Sequence, residues 1–296
     1  MNAPELVDPE LFLAIDDLEL ATRSLVDSVL SGAHRSDRTG PGAEFAQHRD
    51  YQPGDDLRHI NWRLFSRTRR LYVREFRAET SMPVYVVVDA SASMRIGQPH
   101  SKLRYATRVA AALAYLALRG RDAVGLRIAR GGAIEVLPAR ATFTQFGDIL
   151  AKLDTQIAGG AGDLGAAIDE LCETCRKRGT VFILSDFADG ETALLSGLST
   201  LREMGHDVSA VQILAPFEEC LPATGDFDFF DPESGTQKRA AADLVRDGYA
   251  RAVRDWRQRL SDGSDAIGTR WTSITTASPL EPLLGKLTML AAEVSV

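Results

Sequence analysis

Carboxylate and hydroxyl side chains follow two apolar stretches of this chain, in a pattern that could hold a cation. Asp89, Ser91 and Ser93 occupy alternate positions directly after the first stretch, and Asp186 follows the second. Residues two positions apart point the same way while a chain is extended, so the first three side chains would converge. Oxygen donors of this kind suit a hard cation such as Mg²⁺ or Mn²⁺. In the alternative interpretation, Asp89 and the serines cap the helix that follows.

The elements expected to position these residues alternate between strands and helices. Strands are predicted over 84–89, 123–129, 133–137, 180–185, 207–214 and 268–275, and helices over 102–119, 144–153, 164–177, 191–204, 241–260 and 280–292. This alternation is typical of βαβ units, so we predict an α/β fold with a doubly wound, mostly parallel sheet. Ligands of such sheets bind at the carboxyl ends of the strands, where Asp89 and Asp186 would meet.

The chain is predicted to divide near residue 82. Residues 1–82 would contain an amphipathic helix within 9–30, followed by a small subdomain rich in arginine and aromatic residues. Residues 83–296 would form the α/β domain. A hairpin insert is expected near 226–238, where Asp-Pro and Ser-Gly pairs indicate turns.

Composition and charge argue against several classes of protein. The 296 residues carry a net charge of −7, whereas nucleic-acid-binding domains are usually basic. Three cysteines are too few for a disulfide framework. The N-terminal residues lack a signal-peptide pattern, and the longest apolar run, 109–118, is shorter than the roughly 20 residues that span a bilayer. We therefore expect a cytoplasmic protein without a membrane span.

Positive charge is concentrated in one segment. Between Arg49 and Arg77, eight arginines and four acidic residues give a net charge of +4, against −11 for the rest of the chain. One interpretation is a solvated face. The other is a docking surface for an acidic protein partner, with Arg67 and Arg70 as candidate contacts, because guanidinium groups bind carboxylates in a bidentate manner.

The motif Asp89-Ala-Ser-Ala-Ser93 resembles the first element of the metal-ion-dependent adhesion site of von Willebrand factor A domains. In that family, a threonine from a second loop and an aspartate from a third loop complete the metal site. Asp186 matches the third element, but Gly162 occupies the threonine position. The resemblance implies a bound metal ion whose direct contact at the missing threonine is weakened, bridged by water or partly replaced by Asp163.

A second resemblance covers nearly the whole chain. The motifs Glu44-Phe-Ala, Tyr51-Gln-Pro-Gly-Asp-Asp-Leu-Arg-His-Ile-Asn-Trp62 and Leu71-Tyr-Val-Arg-Glu-Phe76 are similar to those of the bacterial "domain of unknown function 58" family, although that family usually has Asp at the position of Asn61. The resemblance implies a partner or adaptor of a MoxR-type AAA+ ATPase in complex assembly or maturation. Its central motif supplies further candidates for a salt-bridged turn or a partner contact: Asp55, Asp56 and Arg58, with Trp62 as an expected core anchor.

Three functional hypotheses follow. The first is a non-enzymatic protein–protein interaction module with an adhesion site that lacks its threonine. The second keeps the fold but makes the metal site vestigial, with partner binding through Arg49–Arg77. The third is a metal-dependent phosphohydrolase that uses Asp89.

The sequence has no dinucleotide-binding or phosphate-binding glycine motif, and Cys172-Glu-Thr-Cys175 is predicted near the end of a helix, where the helix dipole does not favour thiolate.

Overall fold

A computed structural model describes residues 17–33, 45–51, 62–76, 82–97, 100–188, 190–221, 225–233 and 235–293. The chain forms two compact units: one contains Met1–Ala33 and Met82–Val296, and the other contains His34–Ser81. In the described parts of the chain, no helix is both long enough and apolar enough to cross a membrane.

The elements alternate along the chain much as predicted. The strands are β1 (Phe45–Asp50), β2 (Tyr72–Phe76), β3 (Val84–Asp89), β4 (Val124–Arg130), β5 (Ala133–Arg140), β6 (Thr180–Ser185), β7 (Asp207–Leu214), β8 (Asp226–Phe230), β9 (Gln237–Ala241) and β10 (Arg270–Thr275). The helices are α1 (Leu18–Ala33), α2 (Trp62–Thr68), α3 (Lys102–Arg119), α4 (Phe143–Asp154), α5 (Leu164–Thr174), α6 (Glu191–Glu203), α7 (Pro216–Glu219), α8 (Ala242–Ala266) and α9 (Leu280–Glu293). A 3₁₀ helix, Ala92–Arg95, follows β3.

Six strands form the sheet of the first unit, in the order β10-β7-β6-β3-β4-β5. All neighbours pair in parallel except β4 and β5, which are antiparallel. The predicted fold class, an α/β fold with a mostly parallel sheet, is confirmed. The predicted hairpin is also present, as β8 paired with β9.

Helices cover both faces of the sheet because its central strands are apolar on both sides. In β3, Val84, Val86 and Val88 belong to one hydrophobic cluster, whereas Tyr85 and Val87 belong to another. The first cluster includes side chains of α1, α3, α4 and α9, and the second includes those of α5, α6 and α8. This alternation follows from the two-residue period of a strand.

The N-terminal helix α1 belongs to the first unit. Its buried residues Leu18, Leu25 and Val26 pack in the same cluster as α3, whereas Leu20 is exposed. The predicted boundary at residue 82 had grouped this helix with the arginine-rich segment. The structure groups it with the sheet, because its apolar stripe is buried there.

Helix α8 is longer than the predicted 241–260. Its additional turns pack closely on α6, where a Cβ atom at Gly263 would lie 2.7 Å from Cδ1 of Leu195. The absence of a side chain at Gly263 therefore permits this close approach. The helix ends before Gly268, which has a φ of +70°.

In the second unit, β1 and β2 form an antiparallel pair, and α2 lies between them in the chain. Trp62 is not the predicted core anchor. It is the first residue of a seven-residue helix, its side chain is 60% exposed, and its ring contacts the edge of Phe65 at a centroid distance of 6.1 Å. Arg67 and Arg70 are exposed. The other candidates of the central motif, Asp55, Asp56 and Arg58, lie outside the described residues.

Candidate functional site: a buried polar cluster

Asp89 is the last residue of β3, and its carboxylate is buried at the carboxyl edge of the sheet. The parallel register pairs Val88 with Leu184, so the next residues, Asp89 and Ser185, are neighbours. The Ser185 hydroxyl donates to Asp89 Oδ2 over 2.6 Å, and the Ser91 amide donates to Asp89 Oδ1 over 2.8 Å. Both carboxylate oxygens therefore already accept a hydrogen bond from the protein.

The two serines of the motif lie beside this carboxylate. Ser91 and Ser93 are buried, and their Oγ atoms are 3.0 Å apart, within hydrogen-bond distance. The chain enters a 3₁₀ helix at Ala92, so the extended stretch ends inside the motif. The structure thus places the two hydroxyl groups side by side and the Ser91 amide on the Asp89 carboxylate.

Asp186 is positioned by a tight turn after β6. The Ser185 Oγ accepts the amide hydrogen of Phe187 over 2.9 Å, and Asp186 Oδ1 accepts that of Ala188 over 3.1 Å. Phe187 has a φ of +56°, a region that costs a residue with a Cβ about 1–2 kcal/mol. From β7, the Gln212 amide group donates to the backbone oxygen of Asp186 over 3.2 Å. The turn is therefore fixed from both sides.

Lys102 is the site residue that the sequence analysis missed. Its ammonium nitrogen lies 2.7 Å from Asp186 Oδ2 and 2.7 Å from Glu218 Oε1, and the side chain is only 1% exposed. Glu218 belongs to the short helix α7, and its Oε2 accepts the amide hydrogen of Ala215 over 2.6 Å. One buried cation thus joins two carboxylates that come from different loops.

The pKa values of Asp89 and Lys102 are both shifted by burial and by neighbouring carboxylates. Burial raises the pKa of the Asp89 carboxyl, and the negative charge of Asp186 raises it further, against the hydrogen bonds that Asp89 accepts. Burial lowers the pKa of the Lys102 ammonium, but the carboxylates of Asp186 and Glu218 outweigh burial and raise it overall. Lys102 is therefore charged, and Asp89 and Asp186 are close enough to repel.

The glycine-rich loop before α5 lies against the end of β3. The amide of Ala92 donates to the Gly160 carbonyl over 2.9 Å. The amide of Gly162, at the expected threonine position, donates to Glu233 Oε2 over 3.4 Å. Asp163 is exposed and serves as the N-cap of α5, where its Oδ1 accepts the amide hydrogen of Ala166 over 3.0 Å. Its bonded oxygen thus stabilises a helix end.

These contacts do not fit a divalent cation bound directly by the predicted ligands. Asp186 Oδ2 is already paired with the Lys102 ammonium, and Asp186 Oδ1 accepts the amide hydrogen of Ala188, so both oxygens of this carboxylate have partners. The positive charge of the ammonium group would also oppose the binding of a divalent cation at this carboxylate. Among the described residues, no group of three or more His, Cys, Asp or Glu side chains is arranged to hold a metal ion.

Two features of the sequence could have indicated Lys102. It is one of 5 lysines in a chain with 29 arginines. It is also the first residue of α3, where the helix dipole disfavours a cation. A lysine in such a place needs acidic partners, and Asp186 was already a candidate.

Comparison with known proteins identifies relatives that cover most of the chain. The family described as "Protein of unknown function DUF58" matches residues 47–259. The uncharacterized protein Rv1480 of Mycobacterium tuberculosis is 34% identical over 279 residues, which cover 92% of this chain and 87% of that protein. The uncharacterized protein Mb1516 of Mycobacterium bovis shows the same identity and coverage.

The structure is also similar to solved structures. One is the conserved hypothetical protein BatB from Bacteroides thetaiotaomicron, with a TM-score of 0.48 and 17% identity, over 71% of this chain and 99% of that chain. Another is the SpRpn10 VWA domain, with a TM-score of 0.41 and 12% identity, over 69% of this chain and 94% of that chain.

Proposed function

The chain belongs to the DUF58 family, as the sequence resemblance predicted, and on this basis we propose that it is a non-enzymatic protein–protein interaction module. Its partner in this proposal is a MoxR-type AAA+ ATPase, for which it acts as an adaptor in the assembly or maturation of protein complexes in the cytoplasm. The MoxR partner is carried over from the family resemblance stated above.

The observation that carries the proposal is the buried polar cluster. Lys102, Asp186 and Glu218 connect the start of α3 with the loops that follow β6 and β7. Buried polar groups that are paired in this way hold their loops in one arrangement. A surface that is already ordered binds a partner with a smaller entropic penalty, so this edge of the sheet is suited to recognition.

The burial of this cluster favours the interaction hypothesis over the phosphohydrolase hypothesis. The side chains of Asp89, Ser185 and Lys102 are each at most 3% exposed, so a substrate could not reach them without rearrangement. His206 comes directly before β7 and thus lies at the opposite edge of the parallel sheet from the cluster. There its Nε2 lies 3.2 Å from the Cys175 carbonyl oxygen.

The second unit supplies a surface for an acidic partner. Arg67, Arg69 and Arg70 are consecutive or nearly so, and all three are exposed. Because a guanidinium group binds a carboxylate through two parallel hydrogen bonds, these residues favour the hypothesis that the partner binds through the Arg49–Arg77 segment. We therefore propose that this segment also contacts the ATPase.

The test is a binding measurement between the purified full-length chain and a purified MoxR-type ATPase of the same organism. Sedimentation velocity should show a complex at micromolar concentrations of both proteins. The double substitution Arg67→Glu with Arg70→Glu should abolish it, because it reverses two charges at the proposed contact. As a matched control, Arg251→Glu with Arg254→Glu makes the same charge change on exposed positions of α8 and should leave the complex intact.

Two results would contradict the proposal. If the unmodified chain forms no complex at these concentrations, the ATPase is not its partner. If both double variants weaken the complex equally, binding reflects net charge rather than the arginine-rich segment.

A further inference from the structure

We propose that the ammonium group of Lys102 is a built-in cation that replaces the divalent metal ion in this site. The cluster accordingly binds no divalent cation while Lys102 is present. Replacing Lys102 by alanine would convert the same cluster into a metal site. This inference concerns the chain alone and does not depend on the ATPase partner.

The position of the ammonium group is the first argument. Its nitrogen lies 2.7 Å from one oxygen each of Asp186 and Glu218, which follow two adjacent strands, β6 and β7. Its own backbone amide donates to the carbonyl of Ile96, just after the serine motif, over 2.9 Å. The ammonium charge therefore links the two loops that follow β6 and β7, which is the structural role that a bridging metal ion would have, and the backbone of the same residue is anchored to the segment after the serine motif.

Lys102 is also placed where a cation is otherwise unfavourable. Lys102 is at the N-terminal end of α3, where the helix dipole repels positive charge, and it is almost fully buried. Such a group is stable only with compensating charge, and the carboxylates of Asp186 and Glu218 supply it. These two acids are therefore already used by the protein's own cation.

Without the lysine, the two acids would keep their negative charge. Substitution of Lys102 by alanine would leave Asp186 and Glu218 without their partner, with one oxygen of each facing the position that the ammonium nitrogen had occupied. The shortened side chain would also vacate the space of three methylene groups and the ammonium. Two carboxylate oxygens that face such a space, with water molecules as the remaining ligands, suit Mn²⁺ or Mg²⁺.

The experiment measures Mn²⁺ binding to the full-length chain by the electron paramagnetic resonance signal of free Mn²⁺. The unmodified protein should bind no Mn²⁺ stoichiometrically at millimolar metal, and its melting temperature should be the same in Mn²⁺ and in EDTA. Lys102→Ala should bind one Mn²⁺ at least about tenfold more tightly than the unmodified protein. Its melting temperature should rise when Mn²⁺ is added.

Two controls locate the effect. Lys152→Ala removes an exposed lysine that is paired with Glu135 at 2.8 Å, and it should behave like the unmodified protein. Lys102→Ala combined with Asp186→Asn should lose the Mn²⁺ binding, because it removes a central ligand.

Stoichiometric Mn²⁺ binding by the unmodified protein would overturn the proposal, since the site would then accept a metal beside Lys102. If Lys102→Ala is unfolded in EDTA, the experimenter refolds it from urea with and without Mn²⁺. Recovery of the folded state only with the metal supports the proposal. Failure of Mn²⁺ to bind or stabilise this variant would overturn the conversion to a metal site.

Discussion

Replacing Lys102 by methionine removes the buried positive charge but keeps most of the aliphatic volume. The side chain of Asp186 is only 4% exposed, so its charge would remain buried without a counterion. Removing one partner of a buried ion pair typically costs about 3–5 kcal/mol. Glu218 is 19% exposed and regains some hydration, which places the expected loss near the lower end of this range.

The loss of unfolding free energy is measured by urea unfolding at pH 7, with far-ultraviolet circular dichroism as the signal. In a unit of this size, each 1 kcal/mol shifts the melting temperature by about 2–4 °C, so 3 kcal/mol corresponds to a decrease of roughly 6–12 °C. Lys152→Met is the matched control. Its ion pair with Glu135 is about half exposed, so the loss should stay below about 1 kcal/mol.

A second variant separates loss of charge from loss of packing. Adding Asp186→Asn and Glu218→Gln to Lys102→Met neutralises the two acids, and it should recover part of the lost stability, because no buried charge is left unpaired. Equal and small losses for Lys102→Met and Lys152→Met would refute the reasoning. So would a triple variant that is less stable than Lys102→Met alone.

Three further predictions concern other parts of the molecule. Burial and the charge of Asp186 raise the pKa of Asp89 in the folded protein, so the stability that Asp89 contributes is greatest below its unfolded pKa of 3.8 and is lost as the pH rises through the folded pKa. Relative to the unmodified protein, Asp89→Asn should therefore gain stability between pH 4 and 7 in urea titrations. A stability difference between the two proteins that does not change with pH would contradict this. Ser185→Ala removes the donor to Asp89 and the acceptor of the Phe187 amide, and should cost about 2–3 kcal/mol in the same assay, whereas Ser185→Thr, which keeps a hydroxyl, should cost less. Arg67→Glu with Arg70→Glu should leave the melting temperature within about 1 °C of the unmodified value, because both side chains are exposed; a large decrease would show that its effect on binding is indirect.

The fold and the positions of Asp89 and Asp186 could be predicted because they depend on local sequence patterns. Pro83 comes directly before the apolar run of β3, and Gly179 and Gly205 come shortly before those of β6 and β7, so their positions follow from the sequence alone. The carboxyl ends of parallel strands share one edge, which brings Asp89 and Asp186 together without knowledge of side-chain contacts.

Lys102 could not be placed in the same way. Its partners Asp186 and Glu218 are 84 and 116 residues away in the sequence, and no periodic pattern connects the three. Glu218 also lies in the short helix after β7, where the alternation of strands and helices becomes irregular. The ion-paired cluster depends on how the completed sheet brings its loops together.

Two other residues show why a local pattern can be ambiguous. An aspartate that follows a glycine-rich loop can bind a ligand or cap the next helix, and Asp163 does the second. A tryptophan in a segment rich in aromatic residues suggests a core, but Trp62 is mostly exposed at the start of a short helix. In both cases the sequence identifies a chemically distinctive residue, and the surrounding chain decides its role.

The most direct test of Lys102 as the replacement for a metal ion is a crystal structure of the unmodified protein soaked in Mn²⁺, with diffraction recorded at the manganese absorption edge. We predict no anomalous peak beside Asp89 and Asp186, and electron density for the Lys102 ammonium between Asp186 and Glu218. An anomalous peak from a manganese ion coordinated by Asp89 and Asp186, with the Lys102 side chain displaced, would contradict the replacement of the metal ion by Lys102.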